Sequence, residues 1–367
     1  MKSKIKIDKT FIVVFVCMMI LCVVGCIMVY SASSYSSQKY YNQDTFFLIK
    51  QIVGVLIGLC GFVFFYFFDY HKIKKFKWIA FFVSVILLVL VFMPGIGISN
   101  YGAKRWIGFG GFSFQPSEIA KFSLVIFCAC HFSKNKNKAR GVKAILPVLG
   151  VGGVFCLLVI LEPNMSITMC IGITMLAMLF LGGTNLKYFL FLGLPALALV
   201  PLLIILEPYR LARLMAFLDP WASPQGEGFQ LIQSLYSLGN GGLFGVGLFS
   251  SRQKYLYLPF AESDFIFSII CEELGFFGAT LIILTFAVLI MSLIKIALNC
   301  KDRFGSLLTS GIACIIAVQV ILNIAVISGS IPPTGLPLPF ISAGSTSLVV
   351  FMSAIGVVCN INKQSRA

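Results

Sequence analysis

Carboxylate side chains stand out in the stretch LPFAESDFIFSIICEELGFFG, residues 258–278, because almost everything around them is apolar. Glu262 and Asp264 come before an apolar run, and Glu272 and Glu273 lie inside it. A helix turns by about 100° per residue, so a helix that starts at Asp264 places Glu272 to one side of it and Glu273 on the opposite face. These carboxylates are therefore not predicted to form one cluster.

Asp264 has two interpretations. A carboxylate at a helix start is often an N-cap, which accepts hydrogen bonds from free backbone amides and suits the helix dipole. A carboxylate at the edge of an apolar site is also a candidate proton acceptor, because burial raises its pKa, although the helix dipole opposes that shift. Glu272 and Glu273 lie about 12 Å or more deeper along the helix. Charge there is costly unless it is paired, so structural hydrogen bonds to a neighbouring helix are expected.

Opposite charges occur together in QPSEIAK, residues 115–121. Pro116 and Ser117 are typical of a helix start, and Glu118 and Lys121, three residues apart, share a helix face. The pair either belongs to a site at the helix entrance or is an ion pair that locks the helix in place. The sequence leaves both interpretations open.

The composition indicates what kind of protein holds these groups. Of the 367 residues, 59% are hydrophobic and 11% are charged, and the mean hydropathy is +0.98, far outside soluble globular usage. Apolar runs of about 18 or more residues can cross a bilayer as helices, whereas barrel strands would alternate apolar and polar residues. We predict an all-α polytopic membrane protein that forms a single integral membrane domain over residues 1–367.

About ten transmembrane helices are predicted from these runs. The eighth is too long for one straight crossing, so we expect it to begin at the membrane edge, to tilt strongly or to project from the membrane. The long connections, residues 95–116 and 207–263, fall on the same side. The apolar and aromatic content of the second favours ordered short helices. The predicted spans are residues 11–30, 46–68, 77–94, 117–132, 144–161, 165–183, 187–206, 264–298, 306–328 and 338–360.

Lysine and arginine are unevenly distributed between the two sides of the membrane. With a cytoplasmic N-terminus, the cytoplasmic segments hold 18 of the 28 Lys and Arg residues and the opposite side holds seven, in agreement with the positive-inside rule. The net charge of +15 is therefore an orienting feature near anionic lipid and does not indicate nucleic-acid binding. Both termini are predicted to be cytoplasmic and both long loops extracytoplasmic.

The glycine-rich segment GNGGLFGVG, residues 239–247, contains fragments of phosphate-loop spacing. No predicted strand precedes it and no GK[ST] follows, which argues against nucleotide binding. Flexible turns or close helix packing are the favoured interpretation.

Longer motifs carry a family resemblance. The chain resembles the SEDS family (shape, elongation, division, sporulation), and within it the FtsW and SpoVE branch more than RodA, over about residues 25–360. The motifs that carry the resemblance are RWIGFGGFSFQPSEIAK (105–121), LDPWASPQGEGFQLIQSLYSLGNGGLFGVGL (218–248), SRQKYLYLPFAESDFIFSIICEELGFFG (251–278) and IPPTGLPLPFISAGSTSL (331–348).

The resemblance implies a ten-span peptidoglycan glycosyltransferase of the bacterial cytoplasmic membrane. It implies polymerisation of lipid II, the undecaprenyl-diphosphate-linked disaccharide-pentapeptide, into glycan strands at the outer membrane face, in cell division or sporulation. It also implies a class B penicillin-binding protein, the transpeptidase that crosslinks the strands, as a partner, together with other divisome or sporulation membrane proteins.

The resemblance further implies roles for single residues. The family's essential acidic residue falls on Asp264, as the catalytic base. A departing diphosphate needs positive charge, and Lys121 and Lys254 are ranked first to supply it because they match family motifs. The candidate substrate-binding residues are Ser117, Glu118, Lys121, Gln253, Lys254, Arg105, Arg213, Arg252, Gln230 and Gln233. The one cofactor considered is a divalent cation, Mg or Mn, held between the diphosphate and a carboxylate.

The chain departs from the family pattern at several positions. Where QPDLGT is common, this chain has EPNMSI at 162–167, which moves the acidic residue by two positions. Phe260 replaces a frequent Glu, Glu262 sits where His or Gln is frequent, and SAGSTS at 342–347 varies SYGGSS. The presumed base is retained, but the local charge pairing at EPNMSI is expected to differ.

Two other functions remain open. Many spans with buried charges and proline breaks are also typical of a transporter or a lipid-precursor flippase. Against it, no inverted repeat is visible, and the charges concentrate at one face of the membrane instead of its midplane. The second alternative is a noncatalytic scaffold that positions a transpeptidase.

Overall fold

Long helices dominate the computed structural model, which describes residues 9–100, 103–109, 112–134, 141–185, 187–189, 201 and 208–366. The α-helices within these ranges are α1 (Lys9–Tyr41), α2 (Phe46–Phe67), α3 (Lys77–Leu90), α4 (Pro116–Lys134), α5 (Val142–Leu161), α6 (Met165–Gly182), α7 (Pro208–Leu218), α8 (Phe229–Gly241), α9 (Ile266–Asn299), α10 (Arg303–Ile327) and α11 (Ser345–Gln364).

Seven of these helices are long and apolar enough to cross a membrane: α1, α2, α5, α6, α9, α10 and α11. The chain is a multi-pass membrane protein. Two further predicted spans form the shorter α3, of 14 residues, and α4, whose 19 residues include the charged Glu118 and Lys121. The predicted seventh span, 187–206, lies almost entirely outside the described residues. The structure confirms the predicted all-α, polytopic class.

Glycines let α2 and α11 pack closely. A Cβ atom on Gly58 would collide with the Met352 side chain, and a Cβ atom on Gly356 would collide with the backbone of Phe62. Small residues bring helix backbones together and increase van der Waals contact, which is the main attraction between helices in lipid.

The helices alternate in direction, so their connections collect at two ends of the bundle. At one end, the basic end, the 3₁₀ turn Tyr70–Phe76 meets the α9–α10 connection, where Lys74 pairs with Asp302 at 3.5 Å. The opposite end, the site end, holds the connections after α3, α5, α8 and α10. The chemistry predicted from the sequence belongs to the site end.

A small antiparallel sheet lies at the site end, within the stretch that the sequence analysis treats only as a loop. Its strands are β1 (Gly97–Asn100), β2 (Ala103–Phe109) and β3 (Phe112–Phe114), in the order β1-β2-β3. Ile107 of β2 is buried. The sheet gives Arg105, also on β2, a fixed position.

The long connection before α9 is ordered, as predicted. It contains α7, a 3₁₀ turn at Pro220–Ala222 and α8. The Asp219 carboxylate accepts a hydrogen bond from the Trp221 amide at 3.1 Å and so caps the 3₁₀ turn.

The long α9 is broken, which resolves the excess length of the eighth predicted span. Gly275 lies inside it at φ 66° and ψ −168°, outside the helical region. The glycine-rich segment covers the break: the Phe276 amide donates to the Gly242 carbonyl at 3.0 Å, and the Val246 amide donates to the Glu272 carbonyl at 2.9 Å. Backbone groups freed within a membrane need such partners. The close-packing interpretation of residues 239–247 is confirmed.

Candidate active site

Asp264 lies in a turn just before α9. The helix begins at Ile266, and Phe265 occupies the cap position without a side-chain cap hydrogen bond. The N-cap interpretation of Asp264 is therefore wrong, because the chain enters the helix two residues later than the sequence suggests. The Asp264 side chain is partly exposed, and its backbone carbonyl accepts a hydrogen bond from Asn323 Nδ2 at 2.9 Å.

The charges around Asp264 come from three other places in the chain. Burial of its carboxyl raises the pKa of Asp264 to about 6. The guanidinium groups of Arg105, on β2, and Arg213, on α7, oppose this rise, and the neighbouring carboxyl of Glu262 reinforces it. Burial also raises the pKa of Glu262. A carboxyl with a pKa of about 6 is mostly ionised at neutral pH and still has useful affinity for a proton.

The non-helical segment 331–344 forms the wall behind Asp264. The backbone of Gly335 lies so close that a Cβ atom there would be 2.9 Å from Asp264 Oδ2. The Gly335 amide donates to Ser166 Oγ at 3.1 Å, which ties the wall to the start of α6. Ser342 Oγ donates to the Ser263 carbonyl at 2.6 Å. The turn that carries Asp264 is therefore held on both sides.

Two amide side chains of α10 hold the same segment from inside the bundle. Gln319 Nε2 donates to the Pro337 carbonyl at 2.7 Å, and Asn323 Nδ2 donates to the Leu336 carbonyl at 2.7 Å. Both side chains are buried. They are not among the residues predicted from the sequence, although two amides four residues apart on one face of an apolar span indicate a polar contact inside the bundle.

The predicted Glu118–Lys121 pair forms inside the bundle. Lys121 Nζ lies 2.9 Å from Glu118 Oε1 and donates to Gln319 Oε1 at 2.7 Å. Lys121 is 0% exposed and Glu118 is 1% exposed. Through Gln319, the pair connects α4 to the wall behind Asp264. Ser117 is also buried, and its hydroxyl has no hydrogen-bond partner among the described residues.

Lys254 belongs to a second buried cluster, at the break of α9. Its Nζ lies 3.4 Å from Glu273 Oε1. Glu273 also accepts hydrogen bonds from Ser31 Oγ at 2.6 Å and from the amides of Phe249 at 3.1 Å and Ser251 at 3.2 Å. The hydrogen bond from Ser31, on α1, confirms the predicted link to a neighbouring helix.

Glu272 is held in the same way by the loop before α9. Its carboxylate accepts hydrogen bonds from Ser251 Oγ and, at 3.1 Å, from the Arg252 amide. The carboxylates of residues 258–278 therefore do not form one cluster, as the helix geometry predicts, although Glu272 and Glu273 both contact Ser251. Glu262 and Asp264 lie before α9, and Glu272 and Glu273 anchor the loop.

The other predicted site residues are distributed around these two groups. Gln230 Nε2 donates to the Pro259 carbonyl at 3.2 Å, just before the Asp264 turn. Gln253 is buried, and its Oε1 has no hydrogen-bond partner among the described residues. Gln233 is half-buried and Arg252 is exposed.

Arg105 also binds the EPNMSI turn between α5 and α6. Its Nε donates to the Glu162 carbonyl at 3.3 Å, and its Nη2 donates to the Pro163 carbonyl. Asn164 accepts a hydrogen bond from the Ile167 amide at 3.3 Å and caps α6. The departure from the family pattern thus places a capping amide at 164 and moves the acidic side chain to 162.

A metal site built only from protein ligands does not fit the described part of the chain. No group of three or more His, Cys, Asp or Glu side chains converges there in a way that could hold an ion. The divalent cation expected between the diphosphate and a carboxylate stays a prediction.

The described site combines a proton acceptor with positive charge. Asp264 is partly exposed, and two arginines, Arg105 and Arg213, act on it. The two lysines ranked first from the sequence, Lys121 and Lys254, each have a carboxylate partner elsewhere. The arrangement fits proton abstraction from a hydroxyl next to a negatively charged leaving group.

Comparison with known proteins gives matches over nearly the whole chain. A family model described as a cell cycle protein, FtsW/RodA/SpoVE, matches residues 11–367. Stage V sporulation protein E of Bacillus subtilis (strain 168) is 41% identical over 350 residues, 95% of each chain. A probable peptidoglycan glycosyltransferase FtsW of Geobacter sp. (strain M18) is 39% identical over 362 residues, 98% of this chain and 99% of the relative.

Solved structures agree with the sequence matches. A chain from a structure described as "Structural coordination of polymerization and crosslinking by a peptidoglycan synthase complex" is similar with a TM-score of 0.78 at 28% identity, covering 99% of both chains. Rod shape determining protein RodA of Thermus thermophilus shares the fold, with a TM-score of 0.69 at 24% identity over 96% of this chain and 97% of RodA. From the family model and these relatives, the chain belongs to the FtsW/RodA/SpoVE family, the SEDS family that its motifs resemble.

Proposed function

We propose that this protein is a peptidoglycan glycosyltransferase that polymerises lipid II into glycan strands, with Asp264 as the catalytic base. The observation that carries the proposal is Asp264, a partly exposed residue whose carboxyl has its pKa raised by burial to about 6 while the charges of two arginines act on it. Relatives that carry the name probable peptidoglycan glycosyltransferase FtsW, at up to 40% identity, support the same reaction class.

The chemistry follows from the charges at the site. The Asp264 carboxylate accepts the proton of the 4-hydroxyl of one sugar, and the oxygen of that hydroxyl attacks the anomeric carbon of another. The bond from that carbon to the diphosphate breaks, and the diphosphate leaves on its lipid carrier. Arg105 and Arg213 stabilise the negative charge that develops on the leaving group.

The lysines act at a distance in this proposal. Lys121 and Glu118 fix the wall behind Asp264 through Gln319. Lys254 fixes the loop before α9 through Glu273. Both pairs orient the site, and the arginines take the role in charge stabilisation that the sequence analysis assigned first to the lysines.

The orientation and partner belong to the same proposal. The site end faces outward from the cytoplasmic membrane of a bacterium, and both termini are cytoplasmic, because the basic end holds most of the lysines. A class B penicillin-binding protein crosslinks the product. The solved structure of a complex that coordinates polymerization and crosslinking contains a similar chain, which supports a transpeptidase partner.

Reconstitution separates this function from its alternatives. Purified protein in vesicles with lipid II is expected to form glycan polymer, and Asp264→Ala at equal abundance is expected to form at least about 10²-fold less. Equal polymer from both proteins would show that Asp264 is not the base. Lipid II that crosses the vesicle membrane without polymer would instead support a flippase. A scaffold requires that Asp264→Ala still supports cell growth.

A further inference from the structure

The Glu162 carboxyl is buried without a partner. The side chain is 0% exposed, in the turn between α5 and α6, and neither carboxyl oxygen has a hydrogen-bond partner among the described residues. An isolated ionised carboxylate in such a place is very costly, so the group becomes neutral instead. No step of the proposed reaction uses it.

Arg105 connects this carboxyl with the catalytic one. Arg105 Nε donates to the backbone carbonyl of Glu162, which fixes the guanidinium beside the turn. The charge of Arg105 acts on the Glu162 carboxyl and also on Asp264. The same guanidinium charge therefore acts on two carboxyls, and an ionised Glu162 would compete with Asp264 for it.

The charged groups around Glu162 favour its neutral form. The one charged side chain of the described residues that acts on Glu162 is Arg105, from β2. Beyond Arg105, the turn before α9 contributes Asp264 and Glu262, and α7 contributes Arg213. Burial raises the pKa of Glu162 to about 8, although Arg105 opposes the rise. The carboxyl is therefore mostly protonated at neutral pH.

We propose that Glu162 is a positioning residue that acts in its protonated form: it fills the space behind Arg105 without neutralising it, and so leaves the guanidinium charge to Asp264 and the anionic leaving group. The proposal rests on the proposed function. Ionisation of Glu162 at alkaline pH would draw Arg105 away from the site and slow the reaction.

Steady-state kinetics of the purified full-length protein in vesicles with lipid II, from pH 6 to pH 9, test the proposal. Wild type is expected to lose kcat/KM as pH rises through about 8. Glu162→Gln, which keeps the shape and stays neutral, is expected to match wild type within about twofold at pH 7 and to show no alkaline loss. Glu227→Gln, at an exposed carboxyl, is the matched control and should keep the wild-type profile.

Thermal unfolding gives a second readout that needs no activity. The pKa of Glu162 is raised in the folded state, so its protonation stabilises the fold at low pH, and this contribution is lost as pH rises towards about 8. Wild type should therefore lose stability over this range more steeply than Glu162→Gln. If Glu162→Gln does not fold, the stability of wild type alone is measured against pH. A wild-type stability that does not change up to pH 9 would overturn the proposal.

The outcomes distinguish the two proposals. Glu162→Gln that folds but is inactive at pH 7, or that keeps the alkaline loss, overturns the role of Glu162 while wild type still makes polymer. Absence of polymer from every variant overturns the proposed function and, with it, the role of Glu162 in the reaction. The positioning role is supported if kcat/KM falls at alkaline pH in wild type and Glu227→Gln but not in Glu162→Gln.

Discussion

The two carboxylate pairs beside α9 differ in how completely the protein satisfies them. Glu273 is buried and receives hydrogen bonds from Ser31, from two backbone amides and from Lys254. Asp264 is partly exposed, does not cap its helix, and has a raised pKa near arginine charges. A buried carboxylate that accepts several hydrogen bonds stabilises the structure. A carboxylate with few hydrogen bonds and a pKa shifted towards neutral is available for chemistry.

Exchange of each carboxylate for its amide should separate the two roles most clearly. Asp264→Asn is expected to lower the polymerisation rate by about 10²- to 10⁴-fold, because the base is lost. Its unfolding temperature at pH 7 should equal or exceed that of wild type, since burial disfavours the ionised side chain. Glu273→Gln should do the reverse: a lower unfolding temperature and a rate per folded molecule within about tenfold of wild type. Matching losses of both quantities in both variants would contradict the distinction.

Removal of Lys254, the cation that pairs with Glu273, should lower stability about as much as Glu273→Gln does. Lys254→Ala leaves Glu273 buried without its positive partner, which typically costs about 3–5 kcal/mol. Arg252→Ala, two residues away and exposed, is the matched control and is expected to change stability by less than about 0.5 kcal/mol. Chemical unfolding in micelles measures both. Equal stability of the two variants would show that Lys254 does not hold the loop.

Much of the scaffold is readable from the sequence because span length and helix periodicity are local properties. The start of the last span is an instructive exception, since the prediction begins it at residue 338 and α11 begins at Ser345. The residues before it are apolar but not helical, and Gln319 and Asn323 of α10 donate to the carbonyls of Pro337 and Leu336. Hydropathy does not distinguish an apolar helix from an apolar segment held by buried amides.

The candidate site was only partly predictable, for a related reason. Asp264 and the Glu118–Lys121 pair stand out by residue type within apolar runs. The convergence of Arg105 and Glu162 with Asp264 depends on a small sheet, a helix connection and a loop that meet only in the folded bundle. The ranking of the lysines above the arginines followed from motif matching, which carries no information on which cations act on Asp264 in the folded chain.

The close approach of Gly335 to Asp264 allows a test of how far the rate depends on the position of the Asp264 carboxylate. In Gly335→Ala, the new Cβ would be 2.9 Å from Asp264 Oδ2, so the carboxylate must rotate away. The mobile end of a side chain gives way cheaply, so stability should change by about 1 kcal/mol or less while the rate falls about tenfold. Gly344→Ala, in the same segment with its nearest atom 3.8 Å away, is the matched control. An unchanged rate in Gly335→Ala would show that the position of the carboxylate is not critical.

The smallest expected effect is a pair of opposite shifts in the acid limb of the pH–rate profile. The base must be ionised, so kcat/KM should rise through a pH of about 6, where Asp264 loses its proton. Arg213 holds the pKa of Asp264 down and Glu262 pushes it up, so Arg213→Gln should move the limb to higher pH and Glu262→Gln to lower pH. A shift of about half a unit changes the rate below the limb about threefold. Both variants remove a charge next to the same carboxyl, so a shift in the same direction from both would mean that a group other than Asp264 controls the limb.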